Sequence, residues 1–479
     1  MKLANYIGGA LVAPIGKLYL DNWQPSTGEV YGQAPDSDKR DVERAVEAAR
    51  ASFPAWSSTP AAARSRLLRS LARAIEASAQ SLAEAEALDT GKPLETARTV
   101  DIPRSAANFE FFADAVTQFS SECHAADDEA LNYTLRRPLG TVGCISPWNL
   151  PLYLLTRKVA PALAMGNCVV AKPSELAPVT AYLLSKLCIE AGLPPGVLNV
   201  VHGAGAKAGA AVASHEGIRA LSFTGSTQTG AKIAAAAAPA FRKLSLELGG
   251  KNPSLVFADS DFEEAVNGVL RAAFSNQGQL CLCGSRILVE RTIYHSFKEA
   301  LVARTRSLRV GDPMSDGTHQ GAVASKAHLE KIKDCVKLAR KEGGEVLCGG
   351  HRALVEGPCR KGWFFEPTLI EGLGPGCRTN QEEIFGPVAT LLPFDTEEEA
   401  VALANATRYG LSAGVWTRDV RRAHRLGAKL EAGMVWVNCW MLRDLRTPFG
   451  GVKDSGLGRE GGWEALRFFS EPRNVCIKL

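Results

Sequence analysis

No apolar run in this 479-residue chain is long enough to cross a membrane. The opening MKLANYIGGALVAP is weakly apolar and poor in basic residues, so no secretory signal is expected there. Neither end carries a lipid-anchor motif, and no membrane association is expected. Net charge is only +4, with Lys and Arg mixed among Asp and Glu. Without a basic stripe, nucleic acid is not an expected partner. Internal repeats and low-complexity linkers are also missing. Metal-ligating spacings are absent too: none of the twelve cysteines forms a CxxC pair, and no HxxxH lies near one. No metal site is therefore expected. Cysteines scattered from Cys123 to Cys476 in a chain of this length read as free thiols of a reducing cytoplasm, not as a disulfide framework.

What is present is ample material for a core, with 46% hydrophobic and 22% charged residues. The length predicts more than one domain. Residues 41–53 and 63–91 place apolar and charged positions at helical spacing, and DTG at the end supplies a stop. From about residue 139 the pattern changes to short β-branched runs alternating with helical segments. That punctuation is expected of parallel strands joined by crossover helices. A second such series starts near 253, so two α/β domains are expected. The terminal NVCIKL reads as a strand that needs a partner sheet.

Two stretches compete for a dinucleotide. GAGAKA (203–208) follows the strand-like VLNVV and fits G-x-G-x-x-A, but the partner acid about 20 residues on is missing. FTGSTQTG (223–230) places Gly225, Ser226 and Gly230 between a strand and a helix, where backbone N–H groups suit a pyrophosphate. Either stretch could equally be a plain strand-to-helix turn. Three further residues suggest nucleophilic chemistry when taken together. In GQLCLCGSR (278–286), Cys281 follows a polar Gly-rich turn, and a free cysteine becomes a nucleophile when its surroundings favour the thiolate. Glu247 ends a strand before Gly249 and Gly250, where a carboxylate can point into a cleft as general base. Asn149 in SPWNLP could donate to an oxyanion alongside the Cys281 backbone N–H. Individually these are a buried thiol, a surface acid and a turn residue.

The ordered set SPWNLP, AKPSE, FTGST, LELGGKNP, NQGQLC, EEIFGP and PFGGVKDSG closely resembles the NAD(P)-dependent aldehyde dehydrogenase superfamily, essentially from end to end. The resemblance implies an α/β fold with a Rossmann-like NAD-binding domain (1–124 and 140–248) and an α/β catalytic domain (249–449). A small β oligomerisation flap and tail (125–139 and 450–479) would make a homodimer or homotetramer. Cys281, not Cys283, matches the family nucleophile, with Asn149 as oxyanion donor and Glu247 as base. For the cofactor the resemblance implies Trp148, Lys172, Ser174, Glu175, Gly225, Ser226, Gly230, Glu383 and Phe385. GAGAKA then at most lines the adenine pocket. A carboxylate at Glu175 would repel a 2′-phosphate, so NAD is expected over NADP.

Within the superfamily, GQLCLCGSR, DIPRSAANFEFFAD (101–114) and NCWMLRDLRTPFGG (438–451) look most like the dehydrogenases of 2-aminomuconate or 2-hydroxymuconate 6-semialdehyde. Such a small-molecule aldehyde carries a carboxylate at its far end, which a guanidinium binds bidentately. Arg104, Arg443 and Phe449 are the expected substrate-binding residues. Arg446 is weighed with them, but Asp444 is a ready partner for it. A betaine- or aminoaldehyde pocket, with Trp148 and Trp440 as faces for a cation, is the alternative, and a long apolar retinal-type substrate is another. A non-catalytic, crystallin-like role would need the nucleophile or base to be lost, and both are present.

Overall fold

The computed structural model describes residues 1–479. Its first sheet has eight strands in the order Ala10–Val12, Asn5–Ile7, Leu198–Val200, Cys168–Lys172, Thr141–Ile145, Ala220–Thr224, Lys243–Glu247 and Gly456–Leu457. The five strands from Leu198–Val200 to Lys243–Glu247 are parallel. The central ones are buried along their whole length, as CVVAK and ALSFT are. That is the pattern of a sheet covered by helices on both faces, and it explains why these strands read as continuous β-branched runs. Helices Lys39–Ser58, Pro151–Ala164 and Val179–Glu190 share a buried apolar core with the sheet.

The predicted helical region forms, with one break. Residues 61–77 and 79–90 are separate helices joined at Ser78, whose φ of −102° and ψ of 13° leave the helical region. Gly91 ends the second with φ 78°, its N–H donating to Ala87 O. A left-handed glycine is the usual stop there, and it accounts for the DTG signal.

The second sheet lies within residues 253–437. Its order is Glu345–Cys348, Thr368–Glu371, Val388–Phe394, Arg286–Glu290, Pro253–Val256, Ser412–Trp416 and Met434–Val437. Only the edge strand Glu345–Cys348 runs antiparallel. A third, three-stranded sheet joins the hairpin Cys123–Ala126 and Ala130–Pro138 to the terminal strand Ser470–Lys478 in nine-residue register. NVCIKL therefore finds its partner within its own chain.

Of residues 450–479, expected as part of the flap and tail, only the strand Ser470–Lys478 joins that sheet. Gly456–Leu457 adds an antiparallel strand beside Lys243–Glu247. The helix Gly462–Phe468 buries Ala465 and Leu466 in the first core, together with Phe469. Those apolar side chains draw the segment back onto the large sheet before the tail leaves it.

In the first sheet the chain winds one way from Thr141–Ile145 and the other way from Ala220–Thr224. Ligands of open parallel sheets sit outside the carboxyl ends of the strands at such a reversal. Ser146 to Asn149, Lys172 to Glu175, Gly225 to Ser226 and Glu247 to Gly250 all follow those ends.

Candidate active site

Cys281 stands in a turn between two cores. It packs against Leu282, Leu411 and Phe449, whereas Cys283 packs with Leu150, Tyr153, Leu154 and Leu280. The two thiols therefore face different surroundings, and only Cys281 is half-exposed. Three consecutive left-handed residues precede it: Asn276, Gln277 and Gly278, with φ of 52°, 56° and 67°. Two of them are not glycine, so the turn holds strain that its surroundings must restrain. A side chain on Gly278 would meet Gly386 O at 2.1 Å. Asn252 Nδ2 donates to the carbonyls of both Cys281 and Cys283, at 2.7 and 2.9 Å. Burial, with Glu383 and Glu247 nearby, pushes the Cys281 thiol up to about 12, and Arg443 opposes the rise.

Asn149 is buried and enters the same region from the loop after Thr141–Ile145. Its Nδ2 donates to Gln279 O at 2.8 Å, which ties it to the strained turn. Its own carbonyl accepts from Lys92 Nζ at 3.0 Å and Asn276 Nδ2 at 3.2 Å. Lys92 is fully buried between Glu86 and Asp101. This Lys92 support was missed in the sequence. Its only signal was the helix-stopping DTGKP stretch, which says nothing about the distant Asn149.

Glu247 is buried, and neither carboxylate oxygen has a hydrogen-bond partner. Burial, and then the charge of Glu460, hold its carboxyl well above the usual range. Glu460 takes the opposite state. Burial opposes its charge, but Lys158 and Arg157 both donate to it and bring it down to about 2. Two neighbouring acids pushed apart in this way suit one to proton transfer and the other to fixed charge. Lys158, Arg157 and Glu460 were also missed: the acid lies some 300 residues from its partners in sequence.

The crevice at the strand ends fits a dinucleotide. Glu175 accepts from Lys172 Nζ at 2.8 Å and from the Gly205 N–H at 3.0 Å. GAGAKA thus meets the crevice through Gly205, as a wall beside Glu175. Ser174 is buried and caps the following turn by accepting from the Leu176 N–H at 3.2 Å. Ser226 caps the eleven-residue helix Thr227–Ala237, accepting from the Thr229 N–H at 3.3 Å. Its exposed N-terminus is open to an anion. Close packing requires both glycines: side chains there would meet Phe223 at 2.4 Å from Gly225 and Leu248 at 2.5 Å from Gly230. On the opposite wall Glu383 accepts from the Gly250 N–H at 3.0 Å. Trp148 is half-buried and makes edge-type contacts with Phe385 at 5.4 Å and His328 at 5.3 Å between ring centroids. His328, whose Nε2 lies 2.7 Å from Phe385 O, is a further residue of this wall that the sequence left unnoticed.

A second opening of about 470 Å³ is lined by Arg104, Leu150, Leu280, Trp440 and Met441 among others. Arg443 lies over the Phe449 ring at 4.3 Å and near Tyr153 at 5.8 Å; Arg104 lies 5.9 Å from the same tyrosine ring. Neither guanidinium has an ion pair or hydrogen bond with a protein group. Arg446 is different: it forms an exposed fork with Asp444. Of the three expected residues, Arg443 meets Phe449, and Arg104 and Arg443 both lie near Tyr153, whereas Arg446 is held by Asp444.

The aldehyde dehydrogenase family model matches residues 15–475. The chain is 51% identical to a 2-aminomuconic semialdehyde dehydrogenase of Danio rerio, covering 99% of this chain and 98% of that protein. It is 45% identical to a 2-hydroxymuconic semialdehyde dehydrogenase of Pseudomonas sp. (strain CF600), with 100% of both covered. An NAD+ complex of a Bacillus cereus aldehyde dehydrogenase superposes with a TM-score of 0.97 at 38% identity, covering 100% of this chain and 97% of that one.

Proposed function

Since this chain belongs to the aldehyde dehydrogenase family and oxidises aldehydes with a nicotinamide dinucleotide, we propose that its substrate is a muconic 6-semialdehyde bearing a carboxylate. The observation that carries this reading is the pair of unpartnered guanidinium groups, Arg104 and Arg443, both near the Tyr153 ring, with Arg443 also over Phe449, which packs beside Cys281. A half-buried cation without a partner is costly, and a ligand anion removes the cost. The names of the relatives support the same class, 2-aminomuconic in one and 2-hydroxymuconic in another. Two arginines also disfavour a quaternary ammonium substrate.

We assign the roles as follows. The Cys281 thiolate adds to the aldehyde carbon and forms a thiohemiacetal. Asn149 Nδ2 and the Cys281 backbone N–H hold the oxyanion. Bound nicotinamide supplies the two-electron oxidation that leaves a thioester on Cys281. Glu247 then takes a proton from water, which attacks the thioester and releases the acid. Lys172, Ser174 and Glu175 hold the adenosine ribose, Gly225, Ser226 and Gly230 the pyrophosphate, and Trp148, Glu383 and Phe385 the nicotinamide end. The Glu175 carboxylate makes NAD the preferred cofactor over NADP, since a 2′-phosphate brought beside it meets like charge.

In this assignment residues 1–124 and 140–248 form the cofactor domain and 249–449 the catalytic domain. The flap at 125–139 with the tail strand makes a homodimer or homotetramer, because its outer strand Ser470–Lys478 leaves one edge unpaired. No helix is long and apolar enough to cross a membrane. Twelve free cysteines support a reducing, cytoplasmic setting. The test is initial rates of NADH formation by the wild-type protein. The proposal expects 2-hydroxymuconate 6-semialdehyde to exceed betaine aldehyde and a neutral six-carbon aldehyde in kcat/KM. Equal rates on all three would overturn the substrate class and leave the family intact.

A further inference from the structure

Tyr153 is buried at 2% exposure on the helix Pro151–Ala164. It lies four residues before Arg157 on the same helix, a spacing that keeps these two side chains on one face. Within the apolar cluster of Leu150, Leu154, Leu280 and Cys283 it brings the one hydroxyl. Arg157 Nη1 donates to its phenolic oxygen at 3.0 Å, while Arg157 Nε is committed to Glu460 at 2.8 Å. The phenol therefore acts as acceptor toward Arg157, and its own hydrogen points elsewhere. That hydrogen has no acceptor among the protein groups. A hydroxyl can do both at once, and a buried donor left unused is costly.

The ring is flanked by the two unpartnered guanidinium groups, Arg104 at 5.9 Å and Arg443 at 5.8 Å. Burial opposes ionisation of the phenol, yet Arg157, Arg443 and Arg104 outweigh it and bring Tyr153 below its ordinary value. The hydroxyl is thus a strengthened donor in a cationic pocket. We propose that Tyr153 is a third ligand of the substrate carboxylate, donating its O–H to an oxygen that Arg104 and Arg443 also bind, with Arg157 fixing its direction. This rests on the carboxylate reading above and deepens it. A neutral aldehyde would leave two half-buried guanidiniums and the phenolic hydrogen without an acceptor, an arrangement that discriminates strongly.

Tyr153→Phe removes the oxygen and keeps the ring. The assay compares 6-oxohexanoate with hexanal, which differ by the terminal carboxylate alone, and adds 2-hydroxymuconate 6-semialdehyde. The expected result is a KM increase of about 10-fold or more for both carboxylate substrates, as for loss of a hydrogen bond to a charged group. The hexanal KM and all kcat values should stay within about two-fold, the scale of ordinary mutational scatter. Unchanged KM for the carboxylate substrates overturns the inference. Equal changes with hexanal overturn it in favour of a structural role. A change confined to 2-hydroxymuconate 6-semialdehyde also overturns it, because the hydroxyl would then read the 2-substituent. Should Tyr153→Phe not fold, Tyr153→Leu is read in the same way. A wild-type enzyme that does not prefer 6-oxohexanoate to hexanal refutes the carboxylate reading itself, before any variant is made.

Discussion

Arg157 Nε donates to Glu460 Oε2 at 2.8 Å, and Glu460 in turn is the negative charge that burdens Glu247. The position of that charge gives a pH prediction. Glu247 works as a base only when ionised, and burial with Glu460 disfavours that state. Deacylation should therefore accelerate as pH rises through the raised value of Glu247. Glu460→Gln removes the charge and leaves Lys158 and Arg157 to favour the Glu247 carboxylate, so the rising limb should move to lower pH. A kcat–pH profile checks this; a limb that stays in place contradicts it.

The same substitution has a cost in stability. It takes the charged partner from two buried cations, a change worth about 3–5 kcal/mol. Urea unfolding of Glu460→Gln should lose free energy on that scale. A loss below about 1 kcal/mol, the range of exposed pairs, would mean that solvent screens the cluster.

Cys281 and Cys283 are separated by their packing, so their variants should differ sharply. Cys281→Ala should abolish NADH formation. Cys283→Ala removes one small group from a core and should cost about 1–2 kcal/mol in stability, with kcat little changed. Comparable loss of activity in both variants would contradict the assignment of the nucleophile.

Glu247→Gln should separate the two halves of the reaction. Acylation needs the thiolate and the oxyanion donors, whereas hydrolysis needs the base. Rapid mixing should give a burst of about one NADH per site and then little turnover. Slow NADH formation from the first turnover would move Glu247 to the earlier step.

Glu175 faces Lys172 and the Gly205 N–H. Glu175→Ala removes the like charge that a 2′-phosphate meets and frees Lys172 for it. The kcat/KM for NADP relative to NAD should rise by about 10-fold or more, the scale of a charge-assisted contact. An unchanged ratio would place cofactor selection elsewhere.

Much of this architecture could be read in the sequence because local chemistry carries it. CVVAK and ALSFT are buried on both faces, so their runs are continuous; Gly91 stops its helix because φ is positive. The route of residues 450–479 was not readable, since a two-residue strand such as Gly456–Leu457 has no periodicity to detect. Cys281 and Glu247 stood out through their glycine-rich surroundings, and Asn149 through the SPWNLP turn. Lys92, Arg157, Lys158, Glu460 and His328 did not. Each acts through a contact that only the fold creates, and each looks like an ordinary helix or surface residue in one dimension.

The most direct test of the substrate reading is the effect of Arg443→Ala on selectivity between 2-hydroxymuconate 6-semialdehyde and hexanal. The account predicts that kcat/KM for the muconic semialdehyde falls by about 30-fold or more, as for loss of one partner of a buried charge pair, while hexanal changes by no more than a few-fold. Equal losses on both substrates, or none on either, would contradict it.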